Sequence, residues 1–148
     1  RTKADVKAMR EGLKNGVIDI ICTDHAPHHN DEKQREFDKA PFGILGLQTL
    51  IPLTLNLVRD GVINLNKMVE LTSLNPAKLL KLNDRGVIAE GYLADITIVD
   101  PDFEYLYDEK LNKSKSQNSP LLGKKLKGAA IKTIKSGRLV YDFPNVVA

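Results

Sequence analysis

The chain has 148 residues, 42% hydrophobic and 28% charged, which is the composition of one ordinary globular domain with enough apolar content for a core. A net charge of +3 is too small to point to nucleic acid or a membrane surface, and no apolar run is long enough to span a bilayer. A single cysteine excludes an intrachain disulfide and suits a reducing, cytoplasmic compartment.

The chain opens on Arg1 directly in helical sequence, so a native N-terminus is expected upstream. Thr2-Lys3-Ala4-Asp5 spells an N-cap with an acidic residue at N3; Val6, Met9 and Leu13 follow at helical spacing, and Gly16 stops the helix. Val17 to Cys22, "VIDIIC", is short, β-branched and nearly continuously apolar, which predicts a strand buried on both faces, with Cys22 a small buried hydrophobe. Asp24 then falls just beyond the strand's C-terminal end, and all three histidines of the chain follow at once in "CTDHAPHH".

Asn30 to Ala40 is polar and without clean periodicity, a long surface loop that reads either as a lid or as a solvated segment. Leu47, Leu50, Ile51, Leu55 and Val58 share one helical face; Pro52 inside that helix is expected to cost a backbone bond and to kink it. A further helix is predicted around Lys67 to Thr72, and Asn75-Pro76 reads as a fresh helix start. After about Asp84 the pattern turns to β: a Glu90-Gly91 turn, an alternating strand over Ile96 to Val99, and a hairpin closed by Ser136-Gly137. The Lys-rich stretch between them, "KLNKSKSQNSPLLGKKLKG", is irregular; with no interleaved aromatics it reads as a solvated face, not a nucleic-acid site. The order is αβ–loop–α–α followed by a small antiparallel region.

An acidic residue at the C-terminal end of a buried parallel strand, before a long loop, sits where α/β barrels keep their chemistry. The rival reading is that Asp24 caps a helix and the histidines lie exposed in a loop. Pro27 pushes Ala26 towards extended geometry, so His25 and His28 do not share a helical face. A catalytic zinc takes roughly three protein ligands, more than this tight turn can wrap around one ion, and no other histidine exists in the chain. The cluster can therefore supply one carboxylate ligand and a group facing a substrate, and a metal site here is incomplete.

"IDIICTDHAPHHNDEKQREFDKAPFGILGLQTL" closely resembles the dihydroorotases of the zinc-dependent amidohydrolase superfamily, in the bacterial type that carries T-D-H-A-P-H, then E-K, then A-P-F-G-I-x-G-L-E-T. The likeness continues at "LTSLNPAKLL", "GVIAEGYLADITIVDP" and "SKSQNSPLLGKKLKG"; the departures are Cys22 for Ala and Gln48 for Glu. The resemblance implies an α/β fold: over residues 1–83 the C-terminal part of a (β/α)8 TIM-type barrel carrying the active-site loop, and over 84–148 strands of a small accessory β-domain. A whole barrel needs about 250 residues, so the chain alone is expected to be inactive.

The resemblance also implies the chemistry. Asp24 would be both a zinc ligand and the general acid/base, His28 would meet the substrate carboxylate, and the backbone of Phe42 and Gly43 would meet the pyrimidine ring. The rivals are a loop histidine at 28 and core packing for the Phe42 side chain. One or two Zn2+ ions are implied, with the other ligands upstream. The implied substrate pair is dihydroorotate and N-carbamoyl-aspartate, and a homo-oligomer or a complex with aspartate transcarbamoylase is compatible with the likeness. Two other readings stand beside it: a non-catalytic scaffold of that transcarbamoylase, and another cyclic amidohydrolase such as dihydropyrimidinase or allantoinase. His28 speaks against the last, because a neutral ring needs no donor for a carboxylate. His25 and His29 carry no implied role.

Overall fold

The structure is a computed structural model that describes residues 2–143. Helix α1 spans Lys3–Lys14, and Thr2 and Asp5 close the expected capping box: the Thr2 hydroxyl accepts from the Asp5 amide, and the Asp5 carboxylate accepts from the Thr2 amide. Gly16 follows the helix at φ 73°, a conformation that costs glycine nothing. Of the apolar face only Leu13 is buried; Val6 and Met9 are 51% and 59% exposed, so most of that face is uncovered.

Residues 17–24 run between α1 and the site with no strand ladder, contrary to the expectation of a strand buried on both faces. A strand needs neighbours for its backbone groups, and among the described residues the amides of Asp19, Ile20, Cys22 and Thr23 have no partner. The segment is fastened at two points: the Ile21 amide donates to Leu71 O at 3.0 Å, and Asn75 Nδ2 donates to Asp19 O at 2.8 Å. With no strand covering it, Cys22 is exposed rather than buried.

The 30–40 segment is exposed apart from Lys33 and Ala40, as expected, but opens with one helical turn, α2 (Asn30–Lys33). A 3-10 turn at Leu47–Thr49 leads into α3 (Leu50–Arg59). Pro52 lies in the first turn of α3, where helix amides lack intrahelical partners anyway. The expected loss of a hydrogen bond therefore does not arise, and Pro52 is buried.

Asn64 caps α4 (Leu65–Val69), its side chain accepting from the Lys67 amide at 2.8 Å. The chain then continues through a π-helical turn, Glu70–Leu74, into α5 (Asn75–Leu79). The expected fresh start at Asn75 is absent: its backbone is helical (φ −68°, ψ −41°), and its amide donates five residues back to Glu70 O. That wide turn carries the helix across Pro76 and frees the Asn75 side chain to hold Asp19.

Three antiparallel strands follow, in the order β1 (Ile96–Tyr107), β2 (Lys124–Lys135), β3 (Arg138–Asp142). Ile96 pairs with Ile134 and Tyr107 with Lys124. The end of the Lys-rich stretch is thus strand and not irregular loop. Ser136 (φ 49°) and Gly137 (φ 78°) make the tight turn that the sequence indicated. The β1–β2 ladder breaks between Asp100 and Glu104, around Pro101, which has no amide to give a ladder. Arg59 of α3 donates there to Pro101 O (2.6 Å) and Lys127 O (3.1 Å), pinning helix to sheet.

The core joins Leu13 of α1, Leu55 of α3, Ile63, Met68 of α4 and Leu71 of the π turn. Ile18, Ile21 and Val99 pack against it, so the 17–24 segment and the sheet share one apolar interior. No helix among the described residues is long and apolar enough to cross a membrane.

Candidate active site

Two segments distant in sequence meet at the histidine cluster. His25 and Ile44 form an isolated parallel bridge, and the Ala26 amide donates to Ile44 O at 3.0 Å. This brings the 24–29 turn against the 41–46 turn. Gly43 makes the closeness possible: a Cβ there would lie 2.5 Å from Ala26 Cβ, and its φ is 108°. Gly46 is needed for the same reason, since its Cβ would fall 2.7 Å from Thr23 Cβ.

The three histidines do three different things. His25 Nδ1 accepts from the Gly46 amide (3.1 Å) and, at longer range, the Leu47 amide (3.4 Å), so its ring anchors the start of the following helical turn. His29 is the N-cap of α2, its Nδ1 accepting from the Asp31 amide at 3.3 Å. His28 is half-buried, its Nδ1 is 3.5 Å from Glu32 Oε2, and its Nε2 lies 3.5 Å from where a Cβ on Gly43 would stand. His28 and Gly43 are therefore brought together.

Asp24 is exposed, in the left-handed region at φ 45°. The expectation that it caps a helix is not met, because the cap of α2 is His29. Phe42 is 93% exposed, its side chain packed in no core of the described residues.

Around Gly43 the Pro41, Gly43 and Ile44 carbonyls are occupied, and the Phe42 and Gly43 amides are not. Lys33 Nζ donates to Pro41 O (2.8 Å) and Gly43 O (3.2 Å), and Ile44 O takes the Ala26 amide. Among the described residues neither the Phe42 nor the Gly43 amide has a protein partner. This turn can thus present two backbone donors, beside an imidazole, to a molecule rich in carbonyl or carboxylate oxygen.

Sequence reasoning passed over Asn118. It comes from the irregular stretch between β1 and β2, yet its side chain bonds to Ala26, His28 and Gly43. Its only sequence signal is its place inside "SKSQNSPLLGKKLKG". A cleft of about 500 Å³ opens beside it, lined by Pro27, His28, His29, Asn30 and Ser114 to Ser116.

The donor set fits a metal in one respect only. Among the described residues no three His, Cys, Asp or Glu side chains converge as a metal site requires, and the His25 and His29 Nδ1 atoms are already taken. Asp24, exposed and without a hydrogen-bond partner among the described residues, fits a single carboxylate ligand.

Residues 1–140 match the amidohydrolase family. The dihydroorotase of Geobacter sp. (strain M21) is 50% identical over 142 residues, covering 96% of this chain and 33% of the relative. That of Aquifex aeolicus is 48% identical over 141 residues, 95% of this chain and 33% of the relative. Among solved structures, the L-hydantoinase (dihydropyrimidinase) from Arthrobacter aurescens superposes with a TM-score of 0.88 at 32% identity, covering 96% of this chain and 33% of that one. The dihydropyrimidinase from Brevibacillus agri gives 0.86 at 29% identity, covering 96% and 32%. The chain spans about a third of the length of the curated relatives it matches. With the family match covering nearly the whole chain, the chain belongs to the amidohydrolase family.

Proposed function

We propose that the chain is the C-terminal part of a dihydroorotase, which interconverts dihydroorotate and N-carbamoyl-L-aspartate in pyrimidine biosynthesis. The observation that carries this is the 50% identity to dihydroorotases across the whole site region. The hydantoinase and dihydropyrimidinase structures share the fold at 29–32% identity, a weaker tie to their substrates. Residues 1–83 would close a (β/α)8 barrel, and residues 84–148 would belong to an accessory β-domain. A cytoplasmic setting accords with the single cysteine.

The roles follow from the local chemistry. Asp24 would be one ligand to zinc, with the remaining ligands from the rest of the protein; bound zinc supplies Lewis acidity and an acidified water. The Asp24 carboxylate takes the proton from the attacking water and returns it to the departing ring nitrogen. His28 donates to the substrate carboxylate, the feature that separates dihydroorotate from neutral rings. The unspent Phe42 and Gly43 amides meet the oxygen of the ring.

The test is ring opening of dihydroorotate by the full-length protein, with bound zinc quantified in the same preparation. Turnover with zinc, abolished by Asp24→Asn, supports the enzyme. Zinc bound without turnover, or turnover of dihydrouracil in preference, rejects the dihydroorotase reading; neither zinc nor turnover after metal reconstitution points to a scaffold.

A further inference from the structure

We propose that Asn118 is a positioning residue that sets the substrate-binding end of the site, holding the His28 and Phe42-Gly43 segments in register. The proposal rests on the reading of those segments as substrate contacts.

Asn118 reaches both segments with its two side-chain polar atoms and its backbone carbonyl. Its Oδ1 accepts from the His28 amide at 3.2 Å, 90 positions away in the chain. Its Nδ2 donates to Ala26 O at 2.8 Å and to Gly43 O at 3.3 Å. Its backbone carbonyl accepts the Leu45 amide at 3.1 Å. The two carbonyls can only accept, so the amide orientation follows from the network and not from atom labels. Only a short side chain carrying one acceptor and two donors satisfies all three partners. An aspartate would face two carbonyl oxygens with a carboxylate, and a serine is one atom too short to span both segments.

The strut is itself braced. Asn112 Nδ2 donates to Ser116 O at 2.8 Å, and Asn112 Oδ1 accepts from the Ser114 amide at 3.1 Å. Asn112 in turn touches the Tyr107 hydroxyl at 3.4 Å, at the end of β1. Through this chain of contacts the sheet fixes the loop, and the loop fixes the site. Asn118 also shares the Gly43 carbonyl with Lys33, so the carbonyl is turned to protein donors while the neighbouring amides stay unspent.

Asn118 touches neither the reacting amide nor the proposed metal ligand, so its removal should act on binding and not on chemistry. In the full-length protein, Asn118→Ala is expected to raise KM for dihydroorotate roughly 10-fold or more, with kcat within about 3-fold of the parent. Hydrogen exchange supplies a readout without substrate: the His28 and Leu45 amides should exchange faster in Asn118→Ala. In the isosteric Asn118→Asp the His28 amide keeps its acceptor and its protection, yet KM still rises because the donors to Ala26 and Gly43 are gone.

A fall in kcat at constant KM overturns the proposal, as does unchanged exchange at His28 and Leu45, or faster exchange without any change in KM. A parent protein that fails to open dihydroorotate refutes the functional reading instead. Exchange at His28 and Leu45 then still decides whether Asn118 holds the two segments.

Discussion

Gly128 of β2 and Leu55 of α3 approach so closely that a Cβ on the glycine would sit 2.2 Å from the leucine Cδ1. The same Cβ would lie 3.2 Å from Pro101 O and from Arg59 Nη2, with Gly128 itself at φ 90°. Helix, bulge and strand thus converge on one missing methyl group. Gly128→Ala combines a strained backbone with overpacking, and is expected to destabilise by about 2–4 kcal/mol. Urea unfolding of parent and variant measures it; a difference under about 1 kcal/mol would mean that α3 can withdraw from the sheet at little cost.

A second expectation concerns His28. Removing its donor to a carboxylate by His28→Ala should lower kcat/KM for dihydroorotate in the full-length protein by roughly 10- to 100-fold, the worth of a hydrogen bond to a charged group. The loss should fall mainly on KM. Steady-state kinetics in the ring-opening direction decides, and an undiminished kcat/KM removes His28 from substrate binding.

Acid should loosen the hairpin turn. The Asp95 carboxylate is hydrogen-bonded to Lys135, to the Ser136 amide at 2.8 Å and to Arg85 at 3.3 Å. Lys135 foremost, then the Ser136 amide and the Arg85 charge, hold its carboxyl below the ordinary 3.8. Because the folded value lies below the unfolded one, the stability this group contributes is complete above pH 3.8 and is lost as pH falls through the lowered value. Asp95→Asn should therefore flatten the acid limb of a stability-against-pH curve, and an unaltered limb would show that the turn does not depend on this carboxylate.

At the alkaline end the sign is reversed. Burial first, then the neighbouring Tyr141 and Tyr107, push the Tyr105 hydroxyl up to about 12 from the ordinary 10.0. The folded state keeps its proton longer than the unfolded one, so stability declines as pH rises from 10 towards 12. Absorbance titration of tyrosinate should show a late step that Tyr105→Phe removes. A titration complete near the ordinary value would place Tyr105 in contact with water.

What could be read from sequence was whatever is decided locally. The Thr2–Asp5 cap is satisfied by residues three positions apart, the Ser136-Gly137 turn is set by the left-handed backbone of its own two residues, and both stand where the pattern put them. The Val17–Cys22 pattern is that of a covered strand, but burial belongs to the neighbours, and the described residues offer no ladder. Asn75-Pro76 was misread because a π turn lets a helix pass a proline that α geometry would reject. In the site, the quoted motif located His28 and Gly43, which the fold does bring together. Asn118 stayed hidden because its side-chain partners lie 75 to 92 positions away, beyond any periodicity.

The unpartnered amides of Asp19, Ile20, Cys22 and Thr23 bear on how this polypeptide behaves in a tube. A β-branched apolar segment with open backbone donors is a template on which a second copy can lay a strand. The 148-residue chain should consequently self-associate through Val17 to Thr23 as its concentration rises. A single charge such as Ile20→Lys, set in the middle of that segment, should hold it in solution.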